Sequence, residues 1–334
     1  MKKLIFYAHD PGSYDVVYPV FKEFNSKDLF DCELFCEGPA GKINNKYKSN
    51  LGYVVNKVNE YIEKGILLGF ISGRNWGIDY ELQAINICKK FDIKTFVILD
   101  YWNSYVLKLN NSSRDVISPD FYIMMDQIAK NEAIEEGISE KIINILGHPG
   151  LDKFVSYNME NNANRETNGK ILVISQPLSK IYGDTLGYTE EKVIEDCIKA
   201  KNWVNGITLD IKFHPKDDLM FIEKYKKEAI EGDLTEIIPN YDLVIGMSSM
   251  GLLHAVLMGN TAISYQPNLR NKDFCITNKL GITPLITKYE DLVTLFENLN
   301  NRSVSGNNNI LKRYIWSDGK STKRVCDFIN NKLQ

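Results

Sequence analysis

No stretch of this 334-residue chain approaches the ~20 consecutive apolar residues that a membrane-spanning helix needs. The N-terminus, MKKLIFYAHD, has two lysines but an apolar run of only five residues. That run is too short for a signal-peptide core and reads as a first strand. A basic excess is also missing. Forty Lys and Arg stand against 43 Asp and Glu, a formal net charge of -3, which argues against a nucleic-acid partner. Cysteine is sparse and scattered: Cys32, Cys36, Cys88, Cys197, Cys275 and Cys326. Cys32 and Cys36 share the segment CELFCEG, but no second Cys/His pair lies nearby to complete a zinc site. The cysteines are expected to be buried, reduced thiols of a cytoplasmic protein. Sequence repeats and low-complexity tracts are absent as well.

What the chain does have is alternation. Strand candidates fall at 3–8, 32–36, 67–71, 94–99, 120–124 and 142–146, with helical patterns at 13–24, 53–64, 78–91 and 127–137. In DYELQAINICKKF, Leu82, Ile85, Ile87 and Phe91 can line one side of a helix while Lys89 and Lys90 stay in water. A polar segment, SYNMENNANRETNGK at 156–170, reads as a linker. The alternation then restarts, with strands at 170–175, 207–213, 242–246 and 260–265 and helices at 189–203, 217–230, 249–258 and 288–299. A second polar stretch, NNRSVSGNNN at 300–309, precedes a last helix at 319–332. The pattern predicts an α/β protein of two Rossmann-like domains facing a cleft, at 1–156 and 170–316. Residues 317–334 are expected to cross back onto the first domain.

Parallel sheets keep their ligands at the carboxyl ends of their strands, so the polar residues there are the site candidates. After the first strand come His9, Asp10, Pro11, Gly12 and Ser13. Either titratable group could act as a base, Gly12 permits close approach, and Ser13 could cap the following helix. Arg74, in FISGRNWG, suits an anionic or planar group; it could equally pair with Asp79 or Glu81. Asp100 and Trp102, in VILDYWNSY, form a sugar-like surface of carboxylate and ring face, or an aromatic plug for the core. His148 ends the domain's last strand and favours a structural role.

In the second half, Gln176 closes a strand and Lys180 lies in the loop beyond it. KFHPKDD places His214, Pro215 and Lys216 at a strand end, where an imidazole and an ammonium can meet a phosphate. DLVIGMSSMGLLHAVLMG puts Ser248 and Ser249 at the start of an apolar helix. One hydroxyl is expected to cap that helix and the other to join free amides in an anion site.

The ordered pair KFHPKDD and DLVIGMSSMGLLHAVLMGNTAISYQ resembles GT-B-fold bacterial glycosyltransferases, sialyltransferases and cell-wall polymer transferases among them. The resemblance implies that His214, Ser248 and Ser249 contact the donor's nucleotide phosphate and that Asp10 matches the acceptor-side base. The sialyltransferase motif of two acids and a glycine is reduced here to the single acid of Asp10-Pro11-Gly12. The expectation is therefore an inverting, metal-independent glycosyltransferase without a cofactor. It would move a sugar from a nucleotide-activated donor, CMP-nonulosonate before UDP-sugar, to a hydroxyl of a bacterial surface glycan or glycoprotein. Catalytic roles fall to Asp10, His9 and His214. Donor binding falls to Gln176, Lys180, His214, Pro215, Lys216, Ser248 and Ser249, and acceptor binding to Gly12, Ser13, Arg74, Asp100 and Trp102. The expected location is the cytoplasm, with peripheral contact at the inner face of the membrane open. Two other readings compete: a nucleotide-sugar 2-epimerase of the same architecture, and a non-catalytic nucleotide-sugar or glycan-binding protein.

Overall fold

The computed structural model describes residues 2–27, 30–110, 115–161, 169–300 and 308–334. It divides into two compact units, Met1–Lys153 with Tyr314–Gln334, and Phe154–Arg313. Each is a parallel sheet flanked by helices, so the chain has two Rossmann-like α/β units.

The first unit contains β1 (Lys3–Ala8), β2 (Asp31–Cys36), β3 (Leu67–Gly73), β4 (Lys94–Ile98), β5 (Phe121–Met124) and β6 (Ile143–Ile145). Their order across the sheet is β2-β1-β3-β4-β5-β6, every pair parallel. β1 reads as a continuous apolar run, LIFYA, because both faces are covered. On one face Leu4 and Phe6 meet Val17, Val20, Phe21 and Phe24 of helix Pro11–Lys27. Val325 and Ile329 of the last helix, Ser321–Leu333, join the same cluster. Burying each such side chain stabilises the fold by about 1.5–3 kcal/mol.

The second unit contains β7 (Lys170–Ile174), β8 (Thr208–Lys212), β9 (Leu243–Gly246), β10 (Thr261–Tyr265) and β11 (Leu285–Ile286). Their order is β11-β10-β9-β7-β8, again parallel. Ile171, Val173, Ile245 and Ile263 from the strands pack with Val193, Ile194 and Cys197 of helix Glu190–Trp203.

Two expectations change, and one strand is added. The reading of 156–170 as linker gives way in its first part to helix Asp152–Asn161; residues 162–168 of that stretch, and 301–307 of the later polar stretch, lie outside the described residues. The helix expected over 217–230 is only Leu219–Lys224. Beyond it the backbone pairs with the edge of β8: Ile211 N–H donates to Glu228 C=O at 2.6 Å, and Ile230 N–H donates to Ile211 C=O at 2.9 Å. An open strand edge satisfies these groups better than a frayed helix end. β11, a strand of two residues directly after Pro284, is too short to stand out in the sequence. No cysteine forms a disulfide; five are buried and Cys32 is partly so.

Candidate functional site

In the first unit β1 lies between β2 and β3, so the chain leaves it to one side and returns on the other. Ligands of open parallel sheets sit beyond the strand ends at such a reversal. The turn after β1 and the turn after β3 meet there. Asn75, almost wholly buried, accepts from the backbone N–H of His9 at 3.1 Å and of Asp10 at 3.0 Å. Asp10 Oδ2 in turn accepts from the Trp76 N–H at 2.7 Å. Asp10 Oδ1 lies 2.8 Å from His9 Nδ1. An ionised carboxylate only accepts, so this contact calls for a proton on Nδ1. The ring packs against Gly38 so closely that a Cβ at Gly38 would overlap it. Gly38 also has φ +51°, a conformation that favours glycine. The two side chains remain partly open, 12% for His9 and 22% for Asp10.

The helix after this turn begins at Pro11 rather than Ser13, since proline suits a first helical position. Ser13 is therefore not the cap. It is fully buried in the first turn, where its hydroxyl faces Gly73. Asp100 lies against Gly12, where any larger residue would strike its carboxylate. This helix start thus carries a negative side chain of the protein itself, which complements its dipole.

Two expected acceptor-binding residues point elsewhere. Arg74 is 2% exposed and paired with the fully buried Glu81, the structural alternative its sequence context allowed. Trp102 is buried too. Its Nε1–H donates to Asp126 at 2.8 Å, beside Trp316, which donates to the same carboxylate oxygen at 3.0 Å. His148 stacks on Trp102 with 11° between the rings and sits 3.0 Å from the Asp100 carbonyl oxygen.

In the second unit the reversal is at β7, flanked by β8 and β9. Gln176, after β7, accepts the Ser248 N–H at 2.8 Å and so ties that strand end to the one after β9. The Ser248 amide is thereby engaged and is not among the free amides expected at this turn. Ser249 caps helix Met250–Leu257, its Oγ accepting from Gly251 N–H at 3.1 Å. Beneath this turn, Ser264 Oγ and Gln266 Nε2 both donate to the Met247 carbonyl, at 2.6 and 3.2 Å. Gln266 is buried and held further by Tyr188 and Asp273.

The turn after β8 carries His214. Its Nδ1 accepts the Lys216 backbone N–H at 3.0 Å, and the His214 backbone N–H donates to Asp217 at 2.8 Å. Burial, with a smaller contribution from Lys216, holds the imidazole pKa below its ordinary value; Asp217 acts the other way. The ring is therefore neutral near pH 7 with its proton on Nε2, a donor suited to a phosphate oxygen. Lys180 Nζ donates to the Lys216 carbonyl at 2.7 Å, bringing a positive charge to the same turn. Pro215 is exposed between them.

The structure thus gathers His9 with Asp10, Gly12 with Asp100, Gln176 with Ser248, and His214 with Lys216 and Lys180. Sequence reasoning missed Asn75 and Gln266. Asn75 stands in the quoted FISGRNWG, but its partners are 65 and 66 residues away. Gln266 directly follows β10, whose expected end at 265 left it outside the strand. Among the described residues, no three His, Cys, Asp or Glu side chains converge to hold a metal ion.

No family model matches the sequence, and no curated protein matches it either. Solved structures do match in fold. UDP-GlcNAc 2-epimerase from Methanocaldococcus jannaschii is 16% identical, covers 99% of this chain and 100% of its own, and superposes with a TM-score of 0.69. The Neisseria meningitidis UDP-GlcNAc 2-epimerase bound to UDP-GlcNAc is 10% identical, with 99% and 100% coverage and a TM-score of 0.68. S. aureus MnaA with UDP is 10% identical, with 100% and 97% coverage and a TM-score of 0.67. At these identities the likeness is one of fold, GT-B-like and extending over the whole chain. It overturns the expectation of a CMP-dependent inverting glycosyltransferase. The first two of these structures are named as UDP-GlcNAc 2-epimerases, and the third holds UDP.

Proposed function

We propose that this protein is a nucleotide-sugar 2-epimerase acting on a UDP-linked N-acetylhexosamine. The observation that carries the reading is the end-to-end fold likeness to UDP-GlcNAc 2-epimerases, which covers 99% of this chain and 100% of each of theirs. The strand-end chemistry is compatible with it. The proton at C2 of such a sugar has no neighbouring carbonyl to acidify it. Its removal must therefore be coupled to departure of the nucleotide from C1. The C2–H electron pair becomes the C1–C2 double bond, and the C1–O pair leaves with UDP. Protonation of C2 from the other face and return of UDP to C1 complete the inversion.

Two kinds of group are required, an acid/base couple for C2 and a cationic, hydrogen-bond-donating cradle for the diphosphate. We assign removal of the C2 proton to His9 and Asp10; the proton delivered to the other face comes from solvent. The carboxylate holds a proton on Nδ1, which leaves Nε2, packed beside Gly38, as the ring nitrogen that exchanges one. We assign the second to His214 Nε2–H, the Lys180 and Lys216 ammonium groups, and the Ser248 and Ser249 turn. The dipole of helix Met250–Leu257 adds to that cradle. No acceptor is needed in this reaction.

Incubation with UDP-GlcNAc in deuterated water, followed by proton NMR, tests the reading. Loss of the C2 proton signal and growth of the C2 epimer are expected. Undiminished C2 signal at high enzyme concentration would sink it.

A further inference from the structure

Helix Pro11–Lys27 has Pro19 in its interior. Proline has no N–H to donate to the carbonyl four residues back, here that of Asp15. That carbonyl faces Gly150, where a Cβ would lie only 2.8 Å from the Asp15 oxygen. A cavity of about 390 Å³ lies against both residues, within the range of small-molecule pockets, roughly 300–1,000 Å³. It belongs to the first unit alone, and none of its groups takes part in the proposed reaction.

Tyr14 and Tyr18 form one wall, their rings stacked at 4.8 Å and 16°. The Lys22 ammonium lies 5.8 Å from the Tyr18 ring centre. The Lys153 ammonium stands 3.6 Å from the Asp15 carboxylate, and both side chains are about half exposed. Asp152, also at the cavity, is committed to the Ser321 and Thr322 amides at 3.0 and 2.7 Å. Asp15 is thus the carboxylate in reach of a ligand.

These groups set limits on the occupant. An apolar peptide or lipid chain would desolvate Asp15 and Lys153 without replacing their water. A small anion would gain nothing from the tyrosines and would meet the Asp15 carboxylate. A pyranose uses the side chains together: an apolar C–H face for an aromatic ring, hydroxyls to donate to the Asp15 carboxylate, and oxygens to accept from ammonium groups. We propose that this cavity is a binding site for a free neutral hexopyranose, independent of the nucleotide-sugar site.

Saturation-transfer NMR on the full chain with millimolar glucose, N-acetylglucosamine, galactose and mannose tests this. Transfer to the ring protons of at least one sugar is expected. About a tenfold loss of affinity is expected in Tyr18→Ala and in Asp15→Ala. Tyr18 also packs against Phe21 and Tyr47, so the half-exposed Asp15 provides the variant whose fold is not at stake. Saturating UDP-GlcNAc should leave the signal in place. No transfer from any of the four sugars overturns the proposal. So does transfer untouched by Asp15→Ala, or transfer abolished by saturating UDP-GlcNAc, which would place the sugar in the nucleotide-sugar site. The C2-exchange experiment is read separately, and either result can fail without the other.

Discussion

Asn75 is a small side chain on which two turns depend. Its one oxygen accepts two backbone N–H groups, those of His9 and Asp10. Asn75→Ala leaves both without that partner and should cost about 1–3 kcal/mol in urea unfolding. Turnover should fall further than stability explains, because the His9–Asp10 geometry loosens. Asp10→Asn is the complementary variant. Its side-chain oxygen can still accept from Trp76 N–H, so folding should be nearly unchanged. The imidazole, however, loses its ionic partner, and kcat should drop by roughly 10²–10⁴-fold, with UDP affinity kept. Arg74 behaves differently. Removing one partner of a buried pair strands the other charge, so Arg74→Met should cost about 3–5 kcal/mol of stability. In protein that remains folded, UDP binding should be unaffected, as calorimetry can check.

At the scale of elements, the two serines of the β9–helix turn separate. Ser249 Oγ caps helix Met250–Leu257. Ser249→Ala should therefore lower stability by about 1 kcal/mol, the usual cost of a lost cap, as well as weaken UDP binding. Ser248 gives its amide to Gln176, a bond that Ser248→Ala retains. That variant should keep full stability, so any loss of UDP affinity measured in it reports the hydroxyl. The β8 turn makes a prediction in pH. The His214 pKa is lowered in the folded state by burial, so the unfolded chain takes up a proton first. The stability this residue contributes is present above its unfolded pKa and is lost as pH falls through the folded value. Melting temperature should therefore decline more steeply below pH 7 in the wild type than in His214→Asn, whose side chain does not titrate there. Parallel profiles would remove His214 from the account of that turn.

At the scale of the whole molecule, the alternation of strands and helices told most of the story. β1, β7, β9 and β10 emerged within a residue or so of their expected ends, because strands buried on both faces leave unbroken apolar runs. The choice of nucleotide was not written there. The His-Pro and Ser-Ser pattern suggested a cytidine donor, whereas the fold likeness turns the expectation to uridine. A thermal-shift comparison decides it. UDP at a hundred times its Kd should add about 2.7 kcal/mol of apparent stability, and CMP at the same concentration should add far less.

The sequence by itself determined the two α/β units and the polar turns at which their strands end. Periodicity and punctuation are local, and burial of a strand is written into each of its residues. It also brought out His9, Asp10, His214, Ser248 and Ser249, which stand beside their own strand ends. Only the tertiary structure decided the partners. Arg74 turns inward to Glu81, Trp102 and Trp316 share Asp126, Asn75 clamps a turn formed 65 residues earlier, and Gln266 braces the Met247 carbonyl. A side chain's pairing depends on which strands the sheet sets side by side. That order, β2-β1-β3 in one unit and β9-β7-β8 in the other, arises from packing between distant segments and leaves no mark on any one of them.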